Sequence, residues 1–294
     1  MRSTKADALL EALPYFQQFR GRTVVIKYGG AAMENPELVE NVLRDVVFLE
    51  AVGINPVVVH GGGKAITAAM RQENLQARFV DGLRVTDTAS IKIIDHVLND
   101  VIGPSLAAKI NELGGKARVL SGKEVLVAEK ARPHSDSTGA KVDLGFVGEI
   151  AAVRVETIQR LVDEEIVPII SPVGLGLDGQ VYNINADIAA AKIAQALRAH
   201  KIIYLSDVNG VRRIPRDETS LISTLTPAQI GQLKEEGVIE GGMIPKVDSA
   251  LEALASGVAK VHFLDGRQTH SLLLELFTDA GIGTEIAAAH KGNT

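Results

Sequence analysis

The sequence predicts an α/β protein built on a mainly parallel β-sheet. Two observations carry that reading. Short β-branched runs, TVVIKY at Thr23–Tyr28 and PVVVH at 56–60, alternate with segments of helical periodicity. This is the β-α-β-α rhythm of a sheet whose strands are covered on both faces. Both runs also stop on glycines, Gly29-Gly30 and Gly61-Gly62-Gly63. Strand, glycine turn and helix N-terminus together expose backbone N–H groups where no Cβ blocks approach, and the helix dipole favours negative charge there. One glycine satisfies a tight turn; three in succession favour an anionic ligand.

Taken in order, the chain opens with Ala6, Leu9, Leu10, Leu13 and Phe16 at helical spacing, and Pro14 is expected to end or kink that helix. Such a helix must bury its stripe on its own core or on a second subunit. A helix over about 36–51 opens with proline in its first turn. Behind the three glycines, Ile66, Met70 and Leu75 mark another helix. Residues 77–86 alternate around Asp81-Gly82, a hairpin signal. Helical patterns return near 88–98 and 105–113, and 118–120 and 124–128 read as strands parted by Ser121-Gly122. The polar stretch 132–141 reads as an exposed loop. A helix near 155–163, an apolar strand over 166–171, a glycine-rich 173–179, a short Val181-Tyr182 run and a helix over about 185–198 follow. Strand 201–205 ends at Ser206-Asp207; helices near 227–236 and 246–256, a strand near 260–264 and a last helix near 271–278 complete the pattern. No low-complexity linker interrupts it. Two α/β lobes meeting around 175–185 suit a chain of 294 residues.

Composition narrows the function classes. With 46% hydrophobic and 23% charged residues the chain is ordinary for a globular α/β protein. A formal charge of −5 gives no basic patch for nucleic acid. Without cysteine there is no disulfide, no thiolate metal ligand and no cysteine nucleophile. No apolar run approaches a membrane span, and Asp7 and Glu11 interrupt the order of a signal peptide. The expected setting is the cytoplasm.

Three charged residues stand out by position. Lys27 comes late in a central strand, where a charge is unwelcome unless it points into a site at the strand's carboxyl end; the plainer alternative is an ammonium snorkelling to water. Lys246 follows Gly241-Gly242-Met243-Ile244-Pro245 and lies just inside a helix start, where the dipole disfavours a cation unless something anionic is near. Asp187 shares one helix start with Asn183 and Asn185, more small polar groups than one cap requires. The histidines show no metal-ligand spacing, and His60 reads as packed or hydrogen-bonded rather than catalytic. The match of 174–179 to G-x-G-x-x-G is a decoy, because a hairpin-like 180–183 separates it from the helix that a dinucleotide site needs. Nor is there a P-loop: Ala65 stands where Ser or Thr would be.

Together, VVIKYGG, VVVHGGG, DGLRVTD, YNINAD, SDVNG and GGMIPK, in this order across nearly the whole chain, resemble the amino acid kinase family. The LRVTD and NINAD segments resemble its acetylglutamate kinases most. The resemblance implies an open three-layer α-β-α sandwich with an N-terminal extension helix (1–20), an amino-acid lobe (21–181) and an ATP lobe (182–294). It implies phosphoryl transfer from ATP, with Mg2+ held mainly by phosphates and water, to N-acetyl-L-glutamate. By the same resemblance Lys27 and Lys246 stabilise the transferring phosphoryl group, and Asp187 holds both ammoniums. Gly62, Gly63, Arg84 and Asn183 bind the amino-acid substrate. Gly29, Gly30, Gly61, Ser206, Asp207, Gly210, Gly242 and Met243 serve ATP and its phosphates. Two positions depart from the family's pattern: Lys64 replaces a common proline after the glycines, and VLNDVIGPSLAAK lacks the family's arrangement of a glycine and a later Asn-Lys pair. These leave the acceptor open to related carboxylates, such as protein-carried aminoadipate, glutamate or carbamate. A non-catalytic amino-acid-binding regulator is disfavoured by the two lysines and Asp187. Finally, the N-terminal helix and the segment from Leu274 to Thr284 resemble the arginine-inhibited members. That implies a hexamer, a trimer of dimers, with Tyr15, Lys201, Glu275 and Gly281 around L-arginine. The plainer reading of those ends is a frayed helix and an ordinary glycine stop.

Overall fold

The apolar runs become the middle of an eight-stranded sheet in a computed structural model that describes residues 4–80, 82–135, 139–214, 217–279 and 281–288. Across the sheet the order is Thr224–Leu225, Thr284–Ala287, Lys260–Asp265, Lys201–Ser206, Thr23–Tyr28, Asn55–His60, Val167–Ile170 and Ala117–Leu120. All pairs are parallel except Lys260–Asp265 with Thr284–Ala287. From Thr23–Tyr28 the chain builds one wing of the sheet, then returns to build the other from Lys201–Ser206. The order therefore reverses beside Lys27, at the point where open α/β sheets bind ligands.

The two-residue period of a strand sorts the core into two layers. Val25, Val57, Val59, Ile202 and Tyr204 face Ile158, Leu161, Ala190, Ile193, Val247 and Ala250. These come from the helices Val155–Asp163, Ala186–Ala196 and Met243–Ala255. Val24, Ile26, Val58, Ile203 and Leu205 face Leu43, Val46, Leu106, Ile110 and Leu272 of the helices Pro36–Ala51, Gly103–Glu112 and Ser271–Leu276. The result is the expected three-layer sandwich. A second sheet, in the order Val181–Asn183, Val173–Gly176, Leu126–Lys130 and Gly148–Val153, flanks the first. Of the decoy glycines, Gly174 and Gly176 thus lie in the strand Val173–Gly176, paired antiparallel with Val181–Asn183, and Gly179 lies in the turn between the two.

Several elements differ from their sequence reading. Pro14 neither ends nor breaks the helix Thr4–Phe19; the carbonyl deprived of its donor belongs to Leu10, which is 65% exposed and open to water. Glu124 and Val125 form a helical turn, Gly122–Val125, before the strand Leu126–Lys130, because Ser121 and Glu124 make a capping box. The helices near 88–98 and 105–113 are one rod: Thr88–His96 passes through a π-helical Val97–Ile102 into Gly103–Glu112, with Gly103 N–H donating to Leu98 O. A bond five residues back lets the rod absorb Pro104. Strands Gly148–Val153, Thr224–Leu225 and Thr284–Ala287 were not read from sequence, and the helix expected from 246 begins at Met243. In the stretch read as a loop, His134–Ser135 pairs with Lys141–Val142, while residues 136–138 lie outside the described residues. The hairpin Phe79–Val80 with Leu83–Arg84 forms as expected, although Asp81 lies outside the described residues. Among the described residues no helix is long and apolar enough to cross a membrane.

Candidate active site

Parallel strands end along one edge, so their following loops share one rim: Gly29-Gly30, Gly61-Gly62-Gly63, Pro172 and Asp207. Lys27 lies beside Val59 and Tyr204 in register, one residue from its strand's end. Its side chain is 12% exposed, and its ammonium lies 3.0 Å from Asp187 Oδ1. Gly29 permits this, since a Cβ there would sit 2.8 Å from Lys27 Nζ. At the start of Ala186–Ala196, Asn185 Oδ1 accepts from the N–H groups of Asp187 and Ile188. Capping is therefore done by Asn185, and the Asp187 carboxylate is left to serve the cleft. Its Oδ2 accepts from Lys246 Nζ at 3.3 Å. Burial pushes the Asp187 carboxyl up, but the ammoniums of Lys27 and Lys246 outweigh it and hold the group below the usual carboxylate range.

Facing this trio is Arg84, 7% exposed. Its Nη2 donates to Gly63 O (2.9 Å) and Thr67 Oγ1 (2.8 Å), Nη1 donates to Met70 Sδ, and its guanidinium lies 4.6 Å from the Phe79 ring centre. Burial alone lowers its pKa, and no carboxylate among the described residues pairs with it. Thr86 Oγ1 donates to Arg84 O at 2.9 Å and accepts from Asn183 Nδ2 at 3.2 Å, so Arg84 and Asn183 are tied through a residue that sequence reading passed over.

A cleft of about 230 Å³ brings together Lys27, Gly29, Gly30, Gly61, Gly62, Gly63, Arg84, Asn183 and Asp187. The charges lining it are the Lys27 ammonium and the Arg84 guanidinium against the Asp187 carboxylate, with Lys246 outside the lining and reaching it through Asp187, a setting for an anion. Ser206, Asp207, Gly210, Gly242 and Met243 lie outside this cleft. Asp207 joins its rim by accepting from Ala31 N–H at 2.6 Å, with Gly30 packed against its carboxylate at φ +75°. Arg267, another residue not singled out in the sequence, donates to Asp207 O at 2.8 Å and to Asp265 Oδ2 at 2.7 Å. Ser206 Oγ donates to Val208 O, and Gly210 packs on Thr284 at φ +138°. Gly242 caps the helix that begins at Met243 and carries Lys246. At the mouth, Lys64 forms an ion pair with Glu34.

A separate buried cluster lies at the opposite edge. Lys201 starts the strand that Ser206 ends, five residues or roughly 16 Å away. Its Nζ is 3.3 Å from His262 Nε2, and His262 Nδ1 is 2.6 Å from Glu275 Oε1. Glu275 Oε2 also accepts from the N–H groups of Ile282 (2.7 Å) and Gly283 (3.1 Å), with Gly281 packed on it at φ +60°. Burial, helped by Lys260, pulls the Lys201 ammonium down to about 8. Burial raises the Glu275 carboxyl, but His262 and the two N–H donors outweigh it and keep the pKa low. His262 was missed from sequence, though a polar residue inside KVHFLD is its signal. Tyr15 donates instead to Asp279, on the rim of this region.

The sequence model of the amino acid kinase family matches residues 22–265. An acetylglutamate kinase of Caldanaerobacter subterraneus is 48% identical over 96% of this chain and 93% of its own length. One from Desulfitobacterium hafniense is 49% identical over 95% and 96%. Among solved structures, the N-acetylglutamate synthase of Neisseria gonorrhoeae complexed with coenzyme A and L-arginine superposes with a TM-score of 0.80 at 27% identity. That likeness covers 96% of this chain but 65% of the synthase. Carbamate kinase from Giardia lamblia bound to AMP-PNP shares the fold at a TM-score of 0.69 and 16% identity, over 91% of this chain and 99% of its own. The chain belongs to the amino acid kinase family.

Proposed function

We propose that this protein transfers the γ-phosphoryl group of ATP to the γ-carboxylate of N-acetyl-L-glutamate, giving ADP and an acyl phosphate. The observation that carries the reading is Asp187 held between Lys27 and Lys246, across a cleft from a buried Arg84 without a carboxylate partner among the described residues. Relatives named acetylglutamate kinase, at 48–49% identity, support the choice of acceptor. A carboxylate is already anionic at neutral pH, so the acceptor needs no general base. The task is to offset charge on the transferring group, which compact ammoniums and backbone N–H donors do. Lys27 and Lys246 supply the cations, Asp187 fixes both, and Gly30 with the three-glycine turn supplies N–H groups. Arg84 takes the distal carboxylate of the amino acid, and Asn183 its polar groups. Residues 21–181 form the substrate lobe and 182–294 the nucleotide lobe.

Among the described residues no group of three or more His, Asp or Glu could hold a metal ion. On this reading Mg2+ enters with the nucleotide, bound mainly through phosphates and water, where it offsets phosphate charge. The test is ADP release from ATP in cytoplasm-like buffer with N-acetyl-L-glutamate, with the acyl phosphate trapped by hydroxylamine. Hydroxamate formed only with acetylglutamate sustains the reading. Turnover with glutamate or carbamate instead replaces the acceptor, and no turnover with any carboxylate removes the kinase assignment.

The same reading includes inhibition by L-arginine at the Lys201–Glu275 cluster. A buried carboxylate beside loop amides and Gly281 suits a guanidinium or an ammonium, and the synthase solved with L-arginine supports it by similarity. Tyr15 and Asp279 close the rim. The helix Thr4–Phe19 carries Leu9, Leu10 and Leu13 at 61%, 65% and 44% exposure, a stripe suited to the same helix of another copy in a hexamer.

A further inference from the structure

The side chain of His60 is fully buried, and the mechanism above does not use it. Its Nδ1 lies 3.0 Å from Gly61 O. A carbonyl only accepts, so the proton is on Nδ1 and the ring is the neutral Nδ1–H tautomer. Nε2 is then an acceptor with no partner. It faces Gly103, where even an added Cβ would stand 3.5 Å away. Burial, only partly countered by the bond to Gly61, pulls the His60 pKa down to about 4, so the ring stays neutral through the physiological range. A buried polar ring that leaves one nitrogen unsatisfied carries a cost of roughly 1–3 kcal/mol. The hydrogen bond it does make is therefore the feature to explain.

Gly61 O and Gly62 N–H belong to one planar trans peptide and point in opposite directions. Drawing the carbonyl back toward the buried imidazole turns the Gly62 N–H outward, into the cleft that Gly61 and Gly62 line. That N–H donates to no acceptor among the described residues. From the other side the π-helical segment clamps the glycine: a Cβ at Gly62 would stand 2.7 Å from Leu98 Cδ2 and 2.8 Å from Ile102 Cδ1. We propose that His60 is a positioning residue whose Nδ1–H orients the Gly61-Gly62 peptide so that Gly62 N–H is presented to an oxygen of the reacting carboxylate. The inference rests on the kinase reading and adds to it the group that aims one donor.

Asn and Gln separate this role from packing, because the Asn amide nitrogen takes the place of Nδ1 and the Gln amide nitrogen that of Nε2. His60→Asn should keep kcat/KM for acetylglutamate within about threefold of wild type. His60→Gln should lower it by about 10- to 100-fold, the scale of losing one oriented donor, while the KM for ATP moves by less than about threefold, as expected for uniform binding left intact. Long-range 15N spectra of the wild-type protein should report the Nδ1–H tautomer. An Nε2–H tautomer, or equal losses in the two variants, overturns the proposal. Absence of acetylglutamate-dependent ADP release in the wild type overturns the kinase reading instead. The positioning role is then decided by the Gly62 amide resonance during titration with inorganic phosphate. A shift in wild type and His60→Asn but not in His60→Gln sustains it, and any other pattern overturns it.

Discussion

At the scale of single residues, charges in unlikely places were the legible part of the site. Lys27 in an apolar strand and Asp187 beside a sufficient cap each broke a local rule, and both stand 3.0 Å apart in the cleft. Of the residues that escaped notice, only His262 inside KVHFLD breaks such a rule. Ala31 meets Asp207 across 176 positions, and Arg267 meets Asp207 across 60, and neither separation has a periodicity to read. Lys27→Met should lower kcat by on the order of 10²–10³ or more, since it removes a full cation from the transferring group. Its melting temperature should stay within a few degrees of wild type, because Asp187 keeps Lys246. ADP release at saturating substrates beside a thermal melt checks both, and near-normal turnover would remove Lys27 from the chemical step. Arg84→Lys should instead raise the acetylglutamate KM by about tenfold or more with kcat less affected, because the contact to a distal carboxylate is the same in ground and transition states. A lysine cannot reproduce the planar fork whose Nη2 bonds Gly63 and Thr67 while its Nη1 bonds Met70. Collapsed kcat with unchanged KM would place Arg84 in the chemistry.

At the scale of elements, periodicity and punctuation located most of the fold. Thr23–Tyr28, Pro36–Ala51 and Val155–Asp163 fall where the pattern put them, each with a strong run or a cap such as Asn35, whose side chain accepts from Glu37 N–H. The strands that were missed are short or weak in β-branched residues: GEIAAV at Gly148–Val153 and TEIA at Thr284–Ala287 draw their pairing from distant partners. The π-helical Val97–Ile102 was also beyond reach, because the bond pattern changes while the apolar spacing does not. That segment has a function-level consequence. At Gly62 a Cβ would meet Leu98 Cδ2 and Ile102 Cδ1 of that segment, so the π-helical contact is one reason for glycine there. Those contacts are the tips of flexible side chains. Gly62→Ala should therefore cost only about 1–3 kcal/mol of stability and lower activity far more than that loss explains. Urea denaturation beside ADP release measures the two together. A variant with near-normal turnover would show that the turn tolerates displacement and that its register against the π segment is not what aims the amides.

At the scale of the whole molecule, the N-terminal helix divides into two parts with different partners. Its far end is part of the chain's own core: Phe19 is 4% exposed, Phe16 packs edge-on to Phe277 at 5.1 Å and against Phe48 at 5.9 Å, and Lys201 lies 4.9 Å from the Phe19 ring. The near end presents Leu9, Leu10 and Leu13 largely to solvent among the described residues. On the proposed reading, assembly belongs to the near end and the link to the Lys201–Glu275 cluster to the far end. Removing residues 1–19 would strip Phe16 and Phe19 from the core and confuse assembly with stability. Removing residues 1–13 leaves both phenylalanines and Tyr15 in place. The full chain should scatter light as a hexamer whose activity L-arginine inhibits. The chain lacking residues 1–13 should scatter as a dimer with near wild-type activity, a melting temperature within about 4 °C, and a weaker arginine response. On the proposed reading the apolar stripe holds copies together, while the cleft is built from residues 27 onward. A full-length dimer, or a truncated chain that remains hexameric, would remove the helix from assembly. An activity curve flat to millimolar arginine would remove the regulatory site and leave the Lys27–Asp187–Lys246 cleft unaffected, because the two regions stand at opposite edges of the same sheet.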